Sequence, residues 1–334
     1  MQLKKLNSDS RAWKEFLTNN EHLIIHTPEW KEFVRQTFPR TKSKYYAITN
    51  KREQIKSIFP IFYTPFSFVS NISSPFLEYG GPAGKISKMD FQKIKKVLPK
   101  NIEIRSGVCD NVLSKHLFEI RKSKRFVLKL LSEEQMWNHI HKYKRKAVRL
   151  AEKSGVIIKD IPKTKLNELY QLYLKSMHSF GTPPYSRKYF KKFYNFFVQK
   201  NRAKVLGAYY NGKLIAFLTG FTVSNRIHIN INVSDSSYLK YRPNDALHWA
   251  FIKWGCNNGF NEFDFGTVFE GRGQFQFKKK WNAELLDLNY YYLKSKKTKD
   301  PFYFKFDIFS RIWKLIPIQI TSLIGQIFRE IISI

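Results

Sequence analysis

The stretch Phe263–Trp281, FDFGTVFEGRGQFQFKKKW, carries the pattern on which the fold and the chemistry turn. A short apolar strand, Phe263–Phe265, brings Asp264 and Gly266 to its end. A glycine-broken loop follows, and the alternation then predicts a second strand carrying Lys278, Lys279 and Lys280 between Phe277 and Trp281. A carboxylate at a strand end, beside a flexible loop and a cationic cluster, can take a proton and hold an anionic substrate. The competing reading is a plain hairpin with a solvated basic edge, because lysines on an edge strand often serve only to discourage aggregation.

Upstream, the chain from Val156 reads strand, helix, helix, strand, strand, strand, helix, strand. Val156–Asp160 is the first strand. Lys165–His178 and Arg187–Gln199 are helices parted by the Gly181-Thr182-Pro183-Pro184 break. Ala203–Tyr210 and Lys213–Val223 pair through Asn211-Gly212, a strong hairpin signal. Arg226–Val233 alternates, with Ile227, Ile229 and Ile231 predicted on one face. Pro243–Asn258 is a helix with proline at its start and Gly259 past its end. Leu285–Leu293 is expected to close the sheet.

Before Val156, Ser132–Lys153 reads as one helix, with a Ser132/Gln135 capping box and Gly155 as its stop. Its cations Lys142, Lys144, Arg145, Lys146, Arg149 and Lys153 read mainly as a solvated face, dense enough to meet phosphate. Further upstream, Trp30–Phe38 and Phe91–Leu98 read as helices. Tyr45–Thr49, Ile55–Tyr63, Ile102–Ser106 and Arg125–Leu130 read as strands. The loop SSPFLEYGGPAG, Ser73–Gly84, is rich in glycine, proline and aromatics, the composition of a loop that lines a site or merely connects elements.

Composition sets outer bounds. The 334 residues are too many for one small core and predict two domains. A hydrophobic fraction of 43% and an aromatic fraction of 16% exclude a disordered chain. Lys plus Arg number 59 against 26 Asp plus Glu, a formal charge of +33. Such a field attracts nucleic acid, anionic lipid or phosphorylated substrates, although the charges are spread along the chain. Cys109 and Cys256 form no disulfide framework and read as small apolar residues of a reducing, cytoplasmic compartment. The eight histidines show no metal-binding spacing; His228 and His248 read as structural, and His178 stands before the glycine break. No GxSxG, P-loop or HExxH motif is present, so no metal is expected. The amino end lacks a signal-peptide core, and no apolar run reaches membrane-spanning length. The carboxyl end, FSRIWKLIPIQITSLIGQIFREIISI, predicts a helix from about Pro317 with a wide apolar face. That face suits docking on the body or lying on an anionic membrane surface. The start of the helix at Pro243, beside Lys240 and Arg242, is a candidate anion site.

Several segments together resemble the FemA/FemB/FemX group. Ser74–Gly81 is similar to its SPF..YGG loop, and Lys144 to Gly155 to its R..IRKA.K.G helix. Met177–Phe190 is similar to M...GTP.YS..YF, Pro243–Gly266 to P..LLW..I.WA...G...FDFG, and Phe277–Trp281 to FK..WG. The resemblance implies an α/β (α+β) protein of two tandem GNAT-like acyltransferase domains with mixed, largely antiparallel sheets. The expected domains are 1–130 and 131–295, followed by an amphipathic tail, 296–334. It implies an N-acyl or aminoacyl transferase acting on an amine of a cell-wall or surface-polysaccharide precursor, phosphorylated or lipid-linked, near the inner face of the membrane.

On that resemblance Asp264 would take the proton of the acceptor's ammonium, directly or through water. Lys278 would hold a diphosphate or steady the oxyanion. Tyr79, Gly80, Gly181, Thr182, Lys240, Arg242, Arg272, Lys279 and Trp281 would bind substrate. No cofactor is expected beyond the acyl donor. Two departures bear on that donor and on one turn. Asn282 replaces the glycine usual after the tryptophan. No Q/RxxGxG/A loop precedes Pro243, which weakens acyl-CoA as donor and leaves aminoacyl-tRNA, or an unidentified donor, more open; no heptad arm of the kind seen in some tRNA-dependent members is present. The rival readings are an acyl-CoA-dependent N-acyltransferase on a nucleotide sugar or small amine, and a non-catalytic basic protein binding membrane or nucleic acid.

Overall fold

The computed structural model describes residues 1–64, 75–107, 111–268, 270–271, 273–294 and 309–332. Two compact units result. The first comprises Met1–Lys124, Asp287–Lys299 and Ile327–Ile334; the second comprises Arg125–Leu286 and Asp300–Gln326.

In the first unit the order is β1 (Gln2–Lys5), α1 (Arg11–Asn19), α2 (Pro28–Thr37), β2 (Lys42–Thr49), β3 (Ile55–Tyr63), β4 (Ala83–Gly84), α3 (Lys88–Lys95), β5 (Glu103–Ser106) and α4 (Asn111–His116). The strand β6 (Phe118–Lys129) then leads out of it. Strands β1-β2-β3-β4 form an antiparallel sheet. Local chemistry sets the helix starts. Thr27 caps α2, whose first residue is Pro28, and Ser87 with Asp90 forms a capping box on α3. One core gathers Ile48, Phe59, Ile61, Phe91, Ile94 and Ile104.

The second unit continues with α5 (Glu133–His139), α6 (Lys142–Lys153), β7 (Ile157–Asp160), α7 (Leu166–Phe180), α8 (Arg187–Phe196), β8 (Ala203–Tyr210), β9 (Lys213–Val223), β10 (Arg226–Ser234), α9 (Pro243–Asn257), β11 (Glu262–Val268) and α10 (Gly273–Lys279). Strand β12 (Glu284–Tyr292) leads back to the first unit, where Asn289–Tyr292 pair antiparallel with β5. The helices α11 (residues 309–315) and α12 (Ile318–Ile332) end the chain. The strand order is β6-β11-β10-β9-β8-β7. Asn211 and Gly212 take φ of 48° and 77°, the mirror-image turn that the hairpin β8–β9 requires.

Three sequence expectations are corrected. Ser132–Lys153 is two helices, broken at Ile140–His141. The Arg145 guanidinium donates to the carbonyls of Trp137, Asn138 and Ile140, which satisfies the end of α5. The segment before Trp281 is helical, not a strand. Phe277 and Trp281 stand one turn apart with ring centroids 6.3 Å from each other. Ile231 does not share a face with Ile227 and Ile229, because the register slips between Ile229 and Ile231.

The slip decides which helices meet which side of β10. Ile227 and Ile229 join Phe251 and Leu218 in the core beneath α9. On the other side, Phe217 and Phe221 meet Phe190 and Phe193 of α8. Cys256 is half-buried, and burial pushes its thiol up; Cys109 lies outside the described residues.

Candidate active site

β10 and β11 are parallel neighbours over three pairs only, from Arg226↔Glu262 to His228↔Asp264. β10 runs on to Ser234 and β11 to Val268 beyond that ladder. Bulges and parted strands leave backbone groups that an extended, amide-like ligand can pair. At the bulge, Asn230 donates to the Tyr189 hydroxyl at 3.1 Å, and the Ile231 N–H is met by Thr219 Oγ1 at 3.1 Å.

Asp264 sits at the last paired position and is 0% exposed. Its Oδ2 accepts from Arg125 Nη1 at 2.5 Å, and its Oδ1 accepts the Gly266 N–H at 2.8 Å. Arg125 also lies 3.8 Å from Glu262. Burial and these bonds leave the carboxylate paired at the strand end. Lys278, on α10, is 9% exposed and donates to the carbonyls of Thr267 at 2.7 Å and Gly266 at 3.3 Å. Asp264 and Lys278 thus converge on one residue, Gly266, the first at its N–H and the second at its carbonyl. Its φ of 75° suits a residue without a Cβ.

Behind this strand end stands a second buried pair. Lys144, read from the sequence as part of a solvated face, is 4% exposed. Its ammonium donates to Asp245 at 2.6 Å and lies 3.3 Å from the Phe277 ring centroid and 4.9 Å from that of Trp281. Burial, opposed by Asp245, brings its pKa down to about 8. Trp281 is wholly buried among these rings, in the core of the second unit. Asn282 takes φ of 56° and donates to the His139 carbonyl at 2.6 Å. Asparagine therefore fills the left-handed position where the family resemblance expects glycine.

The other expected site residues are dispersed. Lys240, Arg242 and Lys279 are exposed. Arg242 caps α9 in the left-handed region with no side-chain cap, and Asp245 already opposes the positive end of that helix. That weakens the expected anion site there. Gly181 ends α7 with φ of 66°, and a Cβ there would come within 2.2 Å of Ser310 Oγ. The Thr182 N–H bonds the Met177 carbonyl. Gly181 thus meets α11, and Thr182 closes the end of α7. The His178 imidazole lies against the Ile316 carbonyl at 2.9 Å. Arg272 lies outside the described residues, as does Ser74 of the loop.

In the first unit, Tyr79 is buried against Leu288, Tyr290 and Tyr292, and the Gly80 N–H bonds the Arg105 carbonyl at 3.0 Å. Around them sits a buried network. Arg105 Nε donates to Glu103 at 2.8 Å, the Tyr292 hydroxyl donates to the same carboxylate, and the Arg105 guanidinium stands 5.5 Å from the Tyr290 ring centroid. Burial and the Glu103 charge push the Tyr292 hydroxyl far up. The sequence reading missed Arg125, Lys144, Asp245, Glu103 and Arg105 as site-forming residues. Each takes its meaning from a partner distant in the chain, apart from the local Glu103–Arg105 pair, whose alternation on β5 was the one available signal. No cluster able to hold a metal occurs among the described residues.

Residues 138–279 match the family model of the acetyltransferase (GNAT) domain. Those residues of the second unit therefore carry a GNAT acyltransferase domain. The crystal structure of FemX is similar over 87% of this chain and 97% of its own, with a TM-score of 0.71 at 11% identity. The structure of L-PGS from Bacillus licheniformis is similar over 92% of this chain and 98% of its own, with a TM-score of 0.56 at 11% identity. A tandem GNAT protein from the clavulanic acid biosynthesis pathway is similar over 89% of this chain and 100% of its own, with a TM-score of 0.51 at 10% identity. At such identities the likeness is one of fold: two GNAT-like units in tandem with mixed, largely antiparallel sheets. No curated protein matches the chain.

Proposed function

We propose that the protein is a FemX-like N-acyl or aminoacyl transferase that acylates an amine of a phosphorylated or lipid-linked surface-polymer precursor. The observation that carries this reading is the parting of β10 and β11 beyond His228 and Asp264, with the Lys278 ammonium at the same strand end. In the reaction, a neutral acceptor amine attacks the donor's ester or thioester carbonyl. An oxyanion forms, and the hydroxyl or thiol leaves with a proton. The parted backbone edges hold the donor's acyl group extended, and the nearby positive charge of Lys278 favours the oxyanion. Asp264 acts as a positioning residue, holding Arg125 and Gly266 so that the strand end keeps its shape. The exposed Lys279, Lys280, Lys240 and Arg242 supply positive charge for phosphate groups of the precursor or of tRNA.

The donor is aminoacyl-tRNA on this reading. The match of residues 138–279 to an acetyltransferase family favours acyl-CoA as the second reading. The test is transfer of labelled amino acid from a charged tRNA pool onto a precursor fraction, with acyl-CoA in a parallel reaction. Transfer abolished by ribonuclease supports the first reading, and acyl-CoA turnover supports the second. If neither donor is consumed, the transferase reading fails. Lys278→Ala is expected to lower kcat at least about tenfold, by analogy with loss of one oxyanion-stabilising group. Asp264→Asn should lower kcat without moving the pH profile; a profile that moves would return Asp264 to the role of base.

A further inference from the structure

The end of the chain turns small and polar residues inward beside its buried tryptophan. On α11 and α12, the residues turned to the protein are Ser310, Trp313, Thr321 and Gly325. Ser310 fits against Gly181 and donates to the Phe180 carbonyl at 3.0 Å. Trp313 and Thr321 are each 1% exposed. Gly325 lies so close to Pro184 that a Cβ would come within 2.5 Å of its ring, and Gln326 accepts the Ser186 N–H at 2.9 Å.

Five large apolar side chains point the other way, while Trp313 is buried and Phe309, Ile316, Ile324 and Phe328 are half-buried. Leu315 is 84% exposed and Leu323 77%, and Ile312, Ile320 and Ile327 are also exposed. Ile320, Leu323 and Ile327 recur at helical spacing, so they form one stripe on α12. A helix that only needed to cover the protein would turn these residues in and leave threonine, glycine and glutamine to water. Phe180, 57% exposed and joined through its carbonyl to Ser310, adds to the same apolar region.

The exposed charges on α11 and α12 themselves have one sign. Arg311 and Lys314 are exposed between the apolar residues of α11. The only acid in residues 309–332 is Glu330; it is 0% exposed and receives the Arg40 N–H at 3.1 Å. Among the described residues no helix is long and apolar enough to cross a membrane. An apolar stripe with basic neighbours and no exposed acid matches the interface of an anionic bilayer, where leucines enter the acyl boundary and cations meet lipid phosphate.

We infer that the outer face of α11 and α12 docks the protein flat on an anionic phospholipid surface. The inference stands apart from the transferase reading, since binding requires no donor or acceptor. The experiment is co-sedimentation of the full chain with vesicles of equimolar phosphatidylglycerol and phosphatidylcholine, against vesicles of phosphatidylcholine alone. Wild-type protein is expected to sediment with the anionic vesicles. Leu315→Glu and Leu323→Glu, at positions too exposed to support the fold, should each weaken binding about tenfold, the worth of one buried leucine. Arg311→Glu with Lys314→Glu should weaken it by at least about fivefold per cation.

Equal binding by wild type and both leucine variants would overturn the inference, because the overall positive charge alone would then explain it. So would absence of binding, or a leucine variant that dissolves a dimer in sedimentation velocity while keeping its vesicle affinity. Transfer onto a water-soluble acceptor should be the same in wild type and the leucine variants, so failure of this inference and failure of the transferase reading are separable.

Discussion

A deeply buried histidine stands in each unit, His26 in the first and His248 in the second, and the two are held by opposite means. His26, in the first unit, is gripped by backbone. The Leu23 N–H donates to Nδ1 at 2.9 Å, which leaves the proton on Nε2 to reach the Gly81 carbonyl at 2.9 Å. His248, in the second unit, is gripped by rings. It stacks on Phe265 at 5.7 Å and lies near Phe263, Phe277 and Trp281, with one hydrogen bond from Nδ1 to the Asn244 carbonyl at 2.7 Å. Burial brings His26 down to about 4 and His248 down to about 3. Lys144 and Lys278 add to the second shift by repulsion. The difference teaches how the two halves are built. The first unit fixes a loop, the YGG turn at Tyr79–Gly81, through polar contacts. The second fixes a strand end, at Asp264–Gly266, against an aromatic core.

The largest expected effect is acid unfolding with a difference between the units. Both histidines have folded pKa values below the ordinary 6.5, so below that pH the unfolded chain binds protons that the native chain refuses. Stability is therefore lost as pH falls from about 6.5 toward 4 for His26 and toward 3 for His248. At 1.36 kcal/mol per pKa unit the loss is roughly 5 kcal/mol from His248 and roughly 3 from His26. Hydrogen exchange followed by peptide across this range should show the second unit opening more steeply. His248→Phe, which keeps the ring packing, should flatten that unit's response and leave the first unchanged. An unaltered acid limb in that variant breaks the comparison.

Trp281→Ala comes next. Removing a wholly buried indole costs about 3–5 kcal/mol and leaves a cavity beside His248. Urea titration should show that loss in the second unit, and His248 should titrate at higher pH in the variant because its surroundings are less dry.

How much of this was legible in the sequence depends on how local each cause is. The hairpin at Asn211-Gly212, the capping box at Ser132, the stop at Gly155 and the helix from Pro243 rest on neighbours within a few residues, and the structure has them all. The break at Ile140–His141 carries neither glycine nor proline, and the guanidinium of Arg145 that satisfies its carbonyls cannot be told from five other cations. In FQFKKKW, Phe275 and Phe277 alternate like a strand, yet Phe277 and Trp281 also have helical spacing; packing chose the helix. Lys144 reads as solvated because Asp245, which draws it inside, lies far along the chain. The same distance hides Arg125 from Asp264. Asp264, Lys278 and Gly266 could be singled out from type and spacing, but not that the carboxylate is buried behind an arginine.

Lys144 sharpens the comparison from the alkaline side. Its pKa falls from the ordinary 10.5 to about 8 in the folded chain. Between those values the unfolded state holds the extra proton, so stability should rise with pH through this window, by roughly 3 kcal/mol at its top. Lys144→Met keeps the length and apolar stem and should abolish the rise. It should also ease the acid response of His248, on which the Lys144 charge presses. Denaturant midpoints taken from pH 7 to 10 would read both effects, and a wild type that loses stability across the window would contradict the buried charge.

The smallest effect tests the polar half of the comparison. His26→Gln keeps a donor that can reach the Gly81 carbonyl but carries no group that titrates near neutrality. At pH 7 the variant should lose only about 1 kcal/mol, the typical worth of one hydrogen bond made less well. Below pH 6 the order should reverse. In the opened state the wild-type imidazole gains a proton that its folded place, where Nδ1 already accepts the Leu23 N–H, refuses, whereas the glutamine variant has nothing to protonate. Amide exchange at Tyr79–Gly81 should then be slower in the variant than in the wild type. If exchange there stays faster in the variant at every pH, the histidine is held by packing like its counterpart, and the two units bury their imidazoles for the same reason.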